Sequence, residues 1–109
     1  MTINEYLEAT RRPLKVPGVD MIAIRPALVC ADGFRVSVQA SESHYCQPRS
    51  NSGPYSSIEL GYPSESVPEL MEYAEDADNP TGTVYGWVPV EVVDAVIAAH
   101  GGINAGAGL

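Results

Sequence analysis

The sequence predicts an α+β fold: a small antiparallel sheet of three to four strands, with two or three short helices packed mainly on one face. Three observations carry this. Residues 34–41, after the turn-forming pair Asp32-Gly33, alternate strictly between apolar and polar side chains, the period of a half-buried antiparallel strand. Val90, Val93, Val96 and Ile97 recur at helical spacing. The chain has 109 residues, 45% of them hydrophobic, which suits one core and one domain. Its parts are a helix and linker over 1–18, a core over 19–103 and a frayed tail over 104–109.

Taken in order, Thr2 and Glu5 form a capping box that opens a helix running to about Ala9. Pro13 and Pro17-Gly18 end it and make a linker. Residues 19–29 read as a strand with Ile22, Ile24 and Leu28 on one side and Ala23, Arg25 and Ala27 on the other; Pro26 inside it implies a sheet edge or a bulge. Asp32-Gly33 turns the chain into the alternating strand, with Phe34, Val36, Val38 and Ala40 inward and Arg35, Ser37, Gln39 and Ser41 on an open polar face. A third strand spans about 56–62, with Ile58, Leu60 and Tyr62 inward, until Pro63 stops it. Ser66 and Glu69 pattern as a second capping box for a short helix within 64–77. Residues 83–88 form a last strand, with Tyr85 and Trp87 expected in the core. Pro89 suits the first turn of the helix that follows, His100 its last turn and Gly101-Gly102 its end.

The formal net charge is −8. That argues against direct nucleic-acid binding, which needs clustered Lys and Arg to displace counterions, and disfavours anionic membranes; no direct nucleic-acid contact and no membrane is expected. No apolar run is long enough to span a bilayer, and the N-terminus has no apolar segment of the signal-peptide kind. Two cysteines do not make a disulfide framework, so a reduced compartment is expected. Positively charged protein surfaces are the favoured partners of such a chain; solubility alone is the plainer use of its charge.

Chemistry-bearing residues concentrate in SESHYCQPRSNSGPY, residues 41–55. His44 and Cys46, one residue apart, are candidates for a thiolate–imidazole pair that Glu59 or Asp32 would orient, but no nucleophile elbow or protease signature surrounds them. A free cysteine more commonly serves as a small buried hydrophobe. Cys30, His44, Cys46 and His100 lack zinc-site spacing, so no metal and no cofactor is expected. Arg49 offers a donor fork for phosphate or carboxylate, with Ser50 and Asn51 as further polar contacts and Tyr45 and Tyr55 as stacking surfaces. These five residues are the expected ligand site; the plain alternative is an Arg49 that pairs with Glu42 or Glu59 and pins the loop. The acidic stretch 69–78 suits either a phosphate-mimicking surface or a solvated helix end.

The motifs DGF (32–34), SVQAS (37–41), HYC (44–46), PR (48–49) and GPY (53–55), continuing through VPVEVVDAVIAAHGG, resemble a family of small uncharacterised proteins encoded by bacteriophages and prophages. The resemblance covers about residues 27–103. It implies action in the cytoplasm of an infected host bacterium, and it transfers no catalytic residues. The expected function is a non-enzymatic binding protein that counters a host defence component. It would do so by sequestering a nucleotide-like small anion or by blocking a basic host protein; a homo-oligomer is left open. The alternatives are a cysteine-dependent hydrolase using Cys46 and His44, and a phage structural or assembly protein.

Overall fold

A computed structural model describes residues 1–104. Residues 105–109 of the predicted frayed tail lie outside the described residues. Asn104 is tied down instead: its N–H donates to the Val29 carbonyl at 2.8 Å, and Ile103 bridges Cys30.

The architecture is a four-stranded antiparallel meander in the order β1 (Leu28–Val29), β2 (Arg35–Gln39), β3 (Ser57–Gly61) and β4 (Val84–Pro89), with α1 (Ile3–Ala9), α2 (Val90–Ala99) and a 3₁₀ helix (Pro68–Tyr73) packed on it. The α+β class read from the sequence is therefore the observed one. Helix α1 starts at the expected capping box: Thr2 Oγ1 accepts from Glu5 N at 3.2 Å and Glu5 Oε1 accepts from Thr2 N at 2.7 Å. A further free N–H of its first turn, on Ile3, donates to Asp94 Oδ1 of α2 at 2.8 Å. One carboxylate thus joins the two helices and satisfies a helix end. The core between helices and sheet holds Ile3, Leu7, Leu28, Val38, Ile58, Leu60, Leu70, Tyr85, Val88 and Val93.

The predicted strand over 19–29 is cut to Leu28–Val29. Arg25, assigned to the outer face, points inward and is only 4% exposed, while Ile24 is 69% exposed. The cause is the Gln39 side chain, which substitutes for a neighbouring strand. Its Oε1 accepts from Arg25 N at 3.0 Å and its Nε2 donates to Arg25 O at 2.9 Å. Those two backbone groups are satisfied without a ladder, and Pro26 has no N–H to continue one. The polar face of β2 is correspondingly not open throughout: Gln39 and Ser41 are buried, and only Arg35 is fully exposed.

Residues 12–23 form a ribbon of their own. Leu14 N donates to Met21 O at 2.9 Å and Ala23 N to Arg12 O at 2.8 Å. Val19 N closes the tip onto Val16 O at 3.1 Å, around Gly18 with a φ of 77°. We call this ribbon the arm. What the sequence presents as linker plus strand is a hairpin excursion.

Three smaller expectations are corrected. Ser66 caps nothing: the helix cap is Val67, which makes no side-chain cap bond, because Pro68 at the first position forces an extended residue before it. Tyr62 is exposed rather than inward, at a φ of 51°. Trp87 is exposed as well, because β4 carries an extra residue. The pairing Leu60↔Tyr85 gives way to Ile58↔Val88 across a bulge, so Tyr85 and Val88, three positions apart, both face the core. Pro89 falls one position earlier than expected, as the residue preceding α2, and His100 follows the last helical residue.

Candidate functional site

The loop 40–56 joining β2 to β3 is knitted mainly by its own polar groups. The Cys46 thiol is buried and donates to the Ser41 and Pro48 carbonyls at 3.1 and 3.4 Å. Burial pushes its pKa up, so the thiolate a nucleophile requires is disfavoured. His44 Nδ1 lies 2.6 Å from Ser41 Oγ, and burial lowers the imidazole's pKa. Each side chain thus has its polar partner in Ser41. Asn51 is used at both ends: its Oδ1 accepts from Glu42 N, and its Nδ2 donates to Asp20 O on the arm, both at 3.1 Å. Ser50 offers its carbonyl to the Tyr55 hydroxyl at 2.8 Å. Arg49 is exposed, and its Nε donates to the Glu42 carbonyl at 3.1 Å.

The two tyrosines among the five expected ligand residues border different clefts. Tyr45 leaves the loop on the β4 side, where its ring stacks on Trp87 at a centroid distance of 4.8 Å. Its backbone holds the bulge from both directions: Trp87 N donates to Tyr45 O at 3.0 Å, and Tyr45 N donates to Glu59 Oε1 at 3.1 Å. A shallow groove of about 290 Å³ lies there, bordered by Tyr73 and Glu75. Tyr55 turns the opposite way and is buried beneath α1. Asn4 of α1 fastens it in place, donating from Nδ2 to Tyr55 O at 2.9 Å and accepting from Tyr55 N at 2.8 Å.

Tyr55 thereby becomes a wall of a cleft of about 720 Å³ between α1 and the loop, lined also by Asn4, Leu7, Arg11, Arg25 and Pro54. That volume lies within the range of small-molecule sites. Arg25 is the buried cation there. Its Nε donates to Thr10 Oγ1 at 3.0 Å, Nη1 to Ala40 O at 3.1 Å and Nη2 to Leu7 O at 2.8 Å. None of these acceptors is a carboxylate. A guanidinium has about five N–H donors, so about two remain beyond these bonds. Burial lowers its pKa from the ordinary arginine value, but guanidinium stays charged at any physiological pH. Arg11 adds a second cation. Its Nε is ion-paired with Glu8 Oε2 at 3.5 Å without a hydrogen bond, and Glu5 and Glu8 themselves line the cleft.

Arg25 and Arg11 are the residues that sequence reasoning missed. Arg25 was read as one more outward position of an alternating strand. The available signal was Pro26 beside it, which makes regular alternation through Arg25 unsafe. Among the described residues, no three His, Cys, Asp or Glu side chains converge as metal ligands, and no helix is long and apolar enough to cross a membrane. No protein-family model matches the chain, and neither a curated protein nor a solved structure matches it.

Proposed function

We propose that this chain is a non-enzymatic binding protein whose ligand is a small organic anion of nucleotide-like type, held in the cleft beneath α1. The observation that carries this is Arg25, a buried guanidinium hydrogen-bonded to no carboxylate, in a cleft with the apolar walls of Leu7, Pro54 and Tyr55, where Arg11, ion-paired with Glu8, is the second cation and Glu5 and Glu8 lie on the lining. An anion placed there gains charge-assisted bonds to a planar fork, and a ring gains apolar contact. In the phage setting that the sequence resemblance implies, such a protein sequesters the ligand from a host defence pathway. The buried, carbonyl-bonded Cys46 thiol weighs against the hydrolase alternative.

A second reading rests on the acidic residues Glu69, Glu72, Glu75, Asp76 and Asp78, all exposed. They offer a surface to a basic host protein, whose binding would be lost at high salt.

The ligand reading is tested by thermal-shift measurement against mononucleotides, cyclic dinucleotides and inorganic phosphate. A binder at about a hundred times its Kd stabilises the fold by about 2.7 kcal/mol and raises the midpoint. Arg11→Ala is expected to abolish that rise while leaving the unliganded midpoint nearly unchanged, and Arg49→Ala to leave both intact. If no compound shifts the wild type, or if the Arg11 variant shifts as the wild type does, the cleft is not an anion site.

A further inference from the structure

The arm exposes an apolar surface that the rest of the fold does not use. Leu14, Val16, Val19 and Met21 on the ribbon, with Ile24 just after it, are each 38–69% exposed. Hydrophobic residues of this size scattered singly over a surface need no explanation; so many on one projecting hairpin do. The same ribbon carries Arg12 and Lys15, and Arg11 immediately precedes it, so half of the six Lys and Arg residues fall within five positions. The arm is therefore an apolar ribbon with a basic base and one exposed carboxylate, Asp20, attached to an otherwise acidic body.

The body has a complementary feature elsewhere. Between the 3₁₀ helix and α2 runs a groove of about 560 Å³ with Val67, Val92 and Val96 along it and Glu69, Glu72 and Glu91 at its edge. The three glutamates are exposed, and among the described residues none has a Lys or Arg within ion-pair distance. An apolar groove with a negative rim fits an apolar ribbon with a positive base, in both surface chemistry and charge sign. The arm's hydrogen bond to the rest of its own chain beyond Arg12 and Ala23 comes from Asn51 in the β2–β3 loop, not from the groove's elements.

We propose that the arm of one copy of this chain docks in the groove between the 3₁₀ helix and α2 of a second copy. Donor and acceptor surfaces are different patches of the same molecule, so two copies close a two-fold dimer by exchanging arms reciprocally, or the contact runs head to tail. Repetition of the head-to-tail contact produces a closed ring, or an open filament if the rotation does not close. The contact is independent of the α1 cleft.

The test is charge exchange, read by sedimentation velocity and native mass across micromolar to millimolar protein. Wild type should form dimers or larger assemblies that dissociate as salt rises, since the attraction is between exposed charges. Arg12→Glu/Lys15→Glu reverses the arm; Glu69→Lys/Glu72→Lys/Glu91→Lys reverses the groove. Each variant alone should be monomeric. Mixed in equal amounts they should assemble again, because each reversed arm meets a reversed groove and each native arm a native groove. Arg11 is kept, so ligand binding in the cleft is unaffected, and failure of one idea does not touch the other. A wild type that stays monomeric throughout, or variants that assemble alone, would overturn the proposal. So would variants that retain the wild-type fold by circular dichroism but do not assemble when mixed.

Discussion

Trp87 is turned out of the core by its own backbone. A φ of 51° is left-handed territory that a bulky L-residue occupies at a cost on the order of 1 kcal/mol, and here it builds the bulge that returns Val88 to the core. The indole is left 54% exposed against Tyr45. Trp87 is the only tryptophan, so its fluorescence reports this site alone. We expect solvent-like emission in the native state, quenched efficiently by iodide; a shielded, blue-shifted spectrum would mean that the indole is packed inside. Arg25 is the opposite case, a charge inside. It is held there by the Thr10 hydroxyl and by the Leu7 and Ala40 carbonyls, which tie the last turn of α1 to the end of β2. Those three hydrogen bonds, with the charge of Glu8 on the same cleft, offset the burial of the cation.

At the scale of elements, the absent first half of the predicted strand is the most informative feature. Gln39 takes both backbone groups of Arg25, and its Nε2 also reaches Ser37 Oγ at 3.2 Å. Gln39→Leu keeps the volume of the side chain roughly but strands a buried N–H and a buried carbonyl. The expected loss is about 2 kcal/mol or more, seen as a lower urea midpoint at unchanged slope. Ser37→Ala removes only the weaker bond and should cost less than about 1 kcal/mol. Equal costs for the two variants would mean that Gln39 is not the partner that stops the strand. The bonds that fasten Arg25 also define where the arm begins, since the chain enters it after Thr10 and leaves it just before Arg25.

For the whole molecule, His44 and Asp32, far apart in the fold, contribute to the loss of stability on acidification, and Glu5, lowered by its bonds to Thr2, acts in the same direction as Asp32. Burial lowers the His44 pKa from its ordinary value near 6.5. The folded state thus disfavours the proton that the unfolded chain accepts. This contribution is complete above the unfolded value and is lost as pH falls from there through the folded value. Asp32 is lowered first by the backbone N–H of Phe34 and then by His100, whose Nδ1 sits 2.7 Å from Oδ2. It acts in the same direction but at lower pH, its share being lost as pH falls below about 4. The thermal midpoint should therefore decline in two stages on acidification. His44→Gln should flatten the first stage and leave the second; a profile unchanged by that substitution would remove His44 as its cause.

Local chemistry was sufficient for much of the architecture. The Thr2–Glu5 box, the Asp32-Gly33 turn, the apolar face of β2 and the valine stripe of α2 each depend on neighbours within a few residues, and each stands where the sequence puts it. The expected ligand residues were legible as a cluster in sequence but not as a cluster in space. Tyr45 and Tyr55 flank the same loop, yet one is drawn to the β4 bulge and the other to Asn4, 51 positions away. Arg25 was invisible as a buried cation because its partners lie 14 to 18 residues distant, and the link between α1 and α2 spans 91. Sequence by itself determined the α+β class, the start of α1, the turn before β2, the apolar stripe of α2 and the acidic charge, because those are set by propensity and period. Only the tertiary structure decided which polar groups are buried, since a buried donor is satisfied by whatever acceptor the fold brings to it, at any separation along the chain.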